Sequence, residues 1–182
     1  TTGPEIWEQL EQRLDAVICG VRTGGTLAGL THYFSKIAPK VELVLADPAG
    51  SILADFAKTG VVEKAKGGWL VEGIGGDSIP PVGDFSRVGR TYTIPDAEAF
   101  ATCRELLRKE GIIAGTSTGT LLAAALRYCR EQKTAKRVVT FVCDSGNKYL
   151  SKVYNDYWML DQGFIERNQY GDLRDLIARR HW

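Results

Sequence analysis

The sequence lacks features that mark several classes of protein. No apolar run approaches the roughly 20 residues of a helical membrane span, so we expect no membrane partner. The first residues are polar and do not resemble a signal peptide. Lysine plus arginine (23) nearly balances aspartate plus glutamate (22), which leaves no basic excess for binding nucleic acid. Small molecules or other proteins are therefore the expected partners.

Cysteine is also scarce. The four cysteines, Cys19, Cys103, Cys129 and Cys143, are far apart and form no C-x-x-C pair. In apolar segments a free cysteine behaves as a small hydrophobic residue. We therefore expect a protein of the reducing cytoplasm, without a metal site.

Short apolar runs alternate with longer amphipathic ones along the 182 residues. Strands are predicted at residues 16–19, 41–47, 90–95 and the start of 137–150, and another at the start of 67–84, which continues as a glycine- and proline-rich loop. Helices are predicted at residues 4–14, 24–36, 52–58, 97–110 and within 112–132, with Asp96 capping the fourth and Gly111 ending it. This alternation predicts one α/β domain: an open, largely parallel twisted sheet flanked by helices.

One glycine-rich run, CGVRTGGTLAGL at residues 19–30, lies between a predicted strand and a predicted helix. There Gly24, Gly25 and Thr26 can offer backbone N–H groups, a hydroxyl and a helix N-terminus to an anion, most simply a phosphate. The run matches neither the P-loop pattern nor the G-x-G-x-x-G fingerprint. It equally suits a tight turn that binds nothing.

A second run of small residues, EGIIAGTSTGT at residues 110–120, is predicted at another junction between a strand and a helix. Ligands of open α/β sheets lie outside the carboxyl ends of the strands, so the two turns can face one crevice and one ligand with two polar ends. Taken alone, Ser117 fits the role of a helix N-cap better than that of a ligand contact.

Five segments occur along the chain in the order GVRTGGTLAGL, ADPAGSILA, VEGIGGDSIPPVGD, EGIIAGTSTGT and FVCDSGNKYLSKVYNDYWMLDQGF. In this order they resemble the carboxyl-terminal half of the catalytic core of the cystathionine β-synthase family. Members of that family are pyridoxal-phosphate enzymes of fold type II. The resemblance covers residues 1–164, while residues 165–182 resemble a linker helix that leads to a regulatory module absent here. Cysteine synthases share the first four segments.

The resemblance implies a role for each of these segments. Thr23, Gly24, Gly25 and Thr26 would hold the phosphate of pyridoxal 5'-phosphate, Ser117 would bond its pyridine nitrogen, and Asp144 would lie beside the pyridine edge. Glu72, Gly73, Gly75 and Asp77 would form a loop that closes over the amino-acid substrate, although the same loop also fits a flexible surface turn. A neutral hydroxyl at the pyridine nitrogen favours β-elimination and β-replacement.

The reaction that the resemblance implies is β-replacement, in which L-serine and L-homocysteine condense to cystathionine. The resemblance also implies that the enzyme is a homodimer. One alternative is a cysteine synthase that uses O-acetylserine and sulfide. Another is a phosphate-binding or interaction fragment without catalytic activity.

The resemblance places the Schiff-base lysine in the amino-terminal half of the core, ahead of this chain, so we assign no catalytic residue. Lys148 and Lys152 come nearest to the site in sequence, but their helical spacing is typical of surface charges. We expect this chain to need the missing half of the core for activity.

Four residues depart from the family pattern: Arg22, Gly76, Thr116 and Cys143. Arg22 stands where relatives usually have glycine before Thr23, and it would either add charge to the phosphate site or crowd it if the position needs a positive φ. Cys143 stands where a proline often precedes Asp144. A strand-end core position explains Cys143 better than a reactive role.

Overall fold

The computed structural model describes residues 1–65 and 67–166, which fold around a four-stranded parallel sheet. The strands are β1 (Ala16–Cys19), β2 (Glu42–Pro48), β3 (Val88–Ile94) and β4 (Val138–Val139), in the spatial order β3-β2-β1-β4. The α-helices are α1 (Thr2–Gln9), α2 (Gly25–Ile37), α3 (Leu53–Thr59), α4 (Asp96–Glu110), α5 (Thr116–Glu131) and α6 (Asp156–Asp161), and a 3₁₀ helix spans Gly146–Tyr149. The predicted α/β class with a parallel sheet is confirmed.

The sheet separates two apolar cores because successive side chains of a strand point to opposite faces. Ile18 of β1 packs in one core with Phe100 of α4 and Leu121 of α5. Its neighbour Val17 packs in the other core with Leu27 of α2. Burial on both faces explains why these parallel strands are continuous apolar runs in the sequence.

The β1-α2-β2 unit confirms the predicted crossover. Helix α2 begins and ends within one residue of the predicted range 24–36, and β2 lies within one residue of 41–47. Helix α3 is likewise one residue from its predicted bounds. These elements place the turn at residues 20–24 at the carboxyl end of β1.

Helices α4 and α5 pack closely against each other on one face of the sheet. A Cβ built at Gly119 of α5 would lie 2.1 Å from the carbonyl oxygen of Ala99, so only glycine permits this approach. Gly111 ends α4 with φ +69°, as predicted. None of the helices in the described ranges is both long enough and apolar enough to cross a membrane.

The predicted strand at the start of residues 67–84 is wrong, and so is the predicted capping role of Asp96. Both errors have one cause. The carboxylate of Asp96 accepts hydrogen bonds from the backbone N–H groups of Leu70 (2.8 Å) and Val71 (3.2 Å), while Pro95 occupies the N-cap position of α4. The apolar segment is thereby held as a loop against the start of α4.

Other predicted bounds also need correction. Helix α1 ends at Gln9 rather than at residue 14, because Glu11 and Gln12 adopt positive φ angles. The segment between α4 and α5, residues 111–115, forms no strand, although the sequence predicts a junction between a strand and a helix there. Within it, Ala114 makes only an isolated antiparallel bridge with Ser145. Strand β4 is two residues long. Most of the predicted linker helix at residues 165–182 lies outside the described residues.

Candidate cofactor site

The turn between β1 and α2 exposes the start of a 13-residue helix. Gly24 is the N-cap residue in a left-handed conformation (φ +90°), and no side chain in the described part of the chain caps this helix. The first backbone N–H groups of a helix lack intrahelical partners, and the helix dipole adds partial positive charge there. Thr23, Gly25 and Thr26 are exposed at this end. The turn therefore offers unpaired donors to an anion.

These residues line a cavity of about 430 Å³. The other walls come from Gly73 and Ile74, from Leu121 of α5, and from residues 141–143 after β4. The cavity lies outside the carboxyl ends of β1 and β4, which is where ligands bind in open parallel sheets. The structure thus brings together the first predicted turn and Gly73 of the predicted substrate loop.

Ser117 lies in the first turn of α5 and is 4% exposed. Gly115, not Ser117, is the N-cap residue, so the capping interpretation of Ser117 is wrong. The neighbouring Thr118 hydroxyl accepts a hydrogen bond from the backbone N–H of Cys143 (3.1 Å). Cys143 is exposed and lines the cavity, so its interpretation as a strand-end core residue is wrong. Partial desolvation still raises the pKa of its thiol, against the opposing effect of a hydrogen bond to Ser117. Ser117 therefore lies directly behind a residue that lines the cavity.

Asp144 packs at the beginning of α5. Its Oδ2 accepts a hydrogen bond from the Tyr149 hydroxyl (2.9 Å), and a Cβ built at Gly115 would lie 1.9 Å from Oδ1. Burial, reinforced by this hydrogen bond to Asp144, raises the pKa of Tyr149 to about 12, so the phenol remains a donor at neutral pH. Oδ1 is buried and has no hydrogen-bond partner among the described residues. One carboxylate oxygen thus lies without a hydrogen-bond partner from residues 1–65 or 67–166 beside Gly115 at the N-terminus of α5, and Asp144 itself does not line the cavity.

The predicted substrate loop is anchored at both ends. At its start, the backbone N–H of Glu72 donates to the Thr116 hydroxyl (2.9 Å), and the Glu72 carboxylate pairs with Lys152. Near its end, the N–H of Gly76 donates to the Ser51 hydroxyl (3.0 Å). These bonds fix the loop beside α5 and the start of α3.

The individual loop residues differ in position. Gly73 and Gly75 have positive φ angles, and Gly73 lines the cavity. Asp77 is exposed, with the Ser78 hydroxyl 3.4 Å from its carboxylate. Glu72 is exposed as well, and its ion pair keeps Lys152 at this loop. Lys148 has a largely exposed side chain that lies 3.9 Å from Asp144, as its interpretation as a surface charge predicts.

Several positioning contacts were missed in the sequence. The Tyr154 hydroxyl bonds the backbone of Ala114 as both donor (2.6 Å) and acceptor (3.1 Å), which fixes the segment just before α5. Arg22 donates to the carbonyl oxygen of Gly75 (2.9 Å). The partners in these pairs are 40 and 53 residues apart, so no periodic pattern reveals them.

The site fits a ligand that carries a phosphate group. The unpaired donors at Gly25 and Thr26 suit the phosphate. The Ser117 hydroxyl provides a neutral polar group behind the cavity wall. This fit rests on the cradle geometry and on the chemistry of the donors.

A family model described as pyridoxal-phosphate dependent enzyme matches residues 1–144, and the chain belongs to this family. Pyridoxal phosphate is thus the cofactor of the class that the fold and the site define. Within the family the chain is similar to cystathionine β-synthases and cysteine synthases. Cystathionine β-synthase of Oryctolagus cuniculus is 36% identical over 182 residues, which is 100% of this chain and 32% of that protein. Cysteine synthase A of Salmonella typhi is 39% identical over 154 residues, which covers 83% of this chain and 47% of that protein.

A solved structure shows the same fold. It is an O-acetylserine dependent cystathionine β-synthase from Helicobacter pylori, with a TM-score of 0.75 and 33% sequence identity. The match covers 85% of this chain and 48% of that one. The chain therefore spans between about a third and about half of the length of these relatives.

Proposed function

We propose that this chain forms the phosphate cradle and one wall of the active site of a pyridoxal-phosphate enzyme that joins L-serine to L-homocysteine, giving cystathionine and water. One observation carries the proposal: the turn at residues 23–26 and Gly73 of the substrate loop line one cavity in a chain of this family. The similarity to cystathionine β-synthase over the whole chain supports the choice of substrates.

The cradle residues bind and orient the cofactor. Backbone N–H groups of Gly25 and Thr26 donate to the phosphate oxygens, and the dipole of α2 stabilises their negative charge. The hydroxyls of Thr23 and Thr26 add further donors. Because Gly24 is fixed by its left-handed conformation, this arrangement exists before the ligand arrives.

Ser117 and Asp144 act at the other end of the cofactor. When bound, pyridoxal phosphate withdraws electrons from the substrate α-carbon. Ser117 holds the ring nitrogen with a neutral hydroxyl and leaves it largely unprotonated, which moderates that withdrawal and favours β-replacement. Asp144, oriented by Tyr149, borders the edge of the ring.

The substrate loop binds and shields the amino acid. Gly73 lines the cavity, while Glu72 and Asp77 are exposed and do not line it, so they would meet a polar substrate only on closure of the loop. Gly75 fixes the turn between them with φ +85°. Closure of such a loop excludes water from the reacting groups.

We infer that the remainder of the core covers this site and supplies the Schiff-base lysine, since the chain spans only part of its relatives. Val142, which lines the cavity, is 56% exposed, and β4 pairs only with β1 among the described strands. An apolar side chain and a strand edge left open beside a binding site indicate a surface that further chain covers. The assembled enzyme is proposed to be a cytoplasmic homodimer.

A cysteine synthase is the second candidate function. The identity to cysteine synthase A of Salmonella typhi is as high as that to cystathionine β-synthase, although it covers less of this chain. In that reaction sulfide replaces the acetate of O-acetylserine and gives L-cysteine. The cradle and Ser117 would serve both reactions alike.

Steady-state kinetics of the purified enzyme with four substrate pairs tests these proposals. Each donor, L-serine or O-acetylserine, is combined with each thiol, L-homocysteine or sulfide. Cystathionine formed from L-serine supports the first function, whereas activity confined to O-acetylserine and sulfide overturns it in favour of the second. Saturable cofactor binding without product from any substrate pair would overturn both reactions and support the alternative of a phosphate-binding fragment without catalytic activity.

A further inference from the structure

Two hydrogen bonds join the phosphate turn to the substrate loop. The Arg22 guanidinium donates through Nη1 to the carbonyl oxygen of Gly75 (2.9 Å), and the backbone N–H of Gly75 donates to the carbonyl oxygen of Val21 (2.8 Å). The first bond depends on a side chain, and glycine at position 22 would not make it. Arg22 also lines the cavity.

The backbone at position 22 accommodates arginine without strain. The only residues other than glycine with positive φ in the described ranges are Glu11 and Gln12, so Arg22 is outside the left-handed region. Crowding of the turn by an arginine that needs φ > 0 is thereby ruled out. Since a guanidinium has five N–H donors, the bond to Gly75 leaves others that can face an anion in the cavity.

On its other side the loop packs against Pro48 and Trp69. A Cβ built at Gly75 would lie 2.6 Å from Pro48 and 2.8 Å from the Trp69 ring, and the Trp69 indole N–H donates to the carbonyl oxygen of Ile74 (3.1 Å). Gly75 is therefore held between these two side chains and Arg22.

We propose that Arg22 is a positioning residue that couples the phosphate cradle to the substrate loop. An anion in the cradle holds the guanidinium, and the guanidinium in turn holds the carbonyl oxygen of Gly75, so that the loop is more ordered when the phosphate is bound. The bond to Gly75 stands on the geometry alone. Its importance for substrate binding rests on the proposed function.

Hydrogen exchange of the Gly75 and Gly76 amides measures the order of the loop, in the purified protein with and without pyridoxal phosphate, and separately with inorganic phosphate. R22M removes the charge and the donor but keeps most of the side-chain stem. R108M is the matched control, because Arg108 is exposed in the last turn of α4, about 18 Å along that helix from its start beside the loop. R22K restores the charge and one donor.

We expect R22M to raise the exchange rate of these two amides by about tenfold and to abolish the protection that either ligand adds. R22K should recover part of the protection, and R108M should match the native protein. In kinetics R22M should raise KM for the amino acid more than it lowers kcat. Exchange in R22M equal to that in the native protein, with and without ligand, would overturn the proposal.

The same data separate this inference from the proposed function. Faster exchange in ligand-free R22M supports the bond to Gly75 even if no substrate pair reacts. Protection by inorganic phosphate that R22M abolishes supports the coupling without any catalytic measurement. Protection that persists unchanged in R22M contradicts it, whatever the enzyme's substrate.

Discussion

Gly24 and Gly83 are in backbone contact at the phosphate turn. A Cβ built at Gly24 would lie 2.5 Å from the Cα and 2.6 Å from the nitrogen of Gly83, and Gly24 itself has φ +90°. Both the conformation and the contact require glycine. The next residue, Gly25, has no such neighbour within 4 Å.

This difference predicts opposite outcomes for two adjacent substitutions. G24A should lower the free energy of unfolding by about 3 kcal/mol, because left-handed strain adds to the collision with Gly83. G25A should change it by less than about 0.5 kcal/mol. Denaturant unfolding of both variants checks this, and equal effects of the two substitutions would show that the contact with Gly83 does not hold the turn.

Two threonines of α5 make a second matched pair. Thr118 and Thr120 are both buried, but Thr118 accepts a hydrogen bond from Cys143, whereas the Thr120 hydroxyl has no partner within the described ranges. T118V should therefore lower the free energy of unfolding by about 1–2 kcal/mol, and T120V should leave it unchanged or raise it by up to about 1 kcal/mol. Thermal or denaturant unfolding measures both, and a loss of stability in T120V as large as that in T118V contradicts the assignment.

Asp47 should make stability depend on pH. It is fully buried near the end of β2, where its Oδ2 accepts a hydrogen bond from the backbone N–H of Ala54 (2.9 Å) in the first turn of α3. Burial raises its pKa to about 6. The folded state therefore binds a proton that the unfolded state releases near pH 4, and the stabilisation this gives is lost as pH rises through 6.

Unfolding measured as a function of pH tests whether Asp47 lowers the stability as the pH rises. The unfolding free energy of the native protein, relative to that of D47N, should fall by about 2 kcal/mol between pH 4 and pH 7. D161N, which changes an exposed aspartate of α6, is the matched control for the substitution itself. A difference between native protein and D47N that is flat or rises with pH would contradict this account.

Ser117 should affect turnover more than cofactor binding. In the proposed arrangement S117D would place a carboxylate beside the ring nitrogen and favour its protonated form, so turnover should fall by about 10- to 100-fold while the cofactor remains bound. S117T keeps the hydroxyl and should retain most of the activity. Kinetics and the absorbance of the bound cofactor measure the two effects separately, and unchanged turnover in cofactor-loaded S117D would refute the role.

The fold was predictable where local pattern determines structure. Residues 16–19 form β1 as predicted because all four side chains are buried and apolar. The strand predicted at the start of residues 67–84 does not form, because the backbone N–H groups of Leu70 and Val71 donate to the Asp96 carboxylate. No local pattern reveals a partner 25 or 26 residues away. Local sequence fixes the strands and helices better than it fixes loops held by distant side chains.

The site was predictable to a similar degree. Glycines between a strand and a helix indicated the phosphate turn, and the roles of Ser117 and Asp144 came from family resemblance. The bonds from Glu72 to Thr116 and from Arg22 to Gly75 join residues 44 and 53 positions apart. Their discovery required the fold, because it alone brings Arg22 of the first turn and Gly73 of the substrate loop to one cavity, whereas the second predicted turn, at residues 110–120, does not line that cavity.

We propose that the turn at residues 23–26 holds the phosphate of pyridoxal phosphate. The most direct test of this proposal is an equilibrium titration of the purified protein with pyridoxal phosphate, repeated with inorganic phosphate as competitor and with T26V, which lacks the hydroxyl. The account predicts saturable binding that inorganic phosphate displaces and that T26V weakens by about fivefold to tenfold. Binding that neither phosphate nor T26V affects, or no saturable binding, would contradict it.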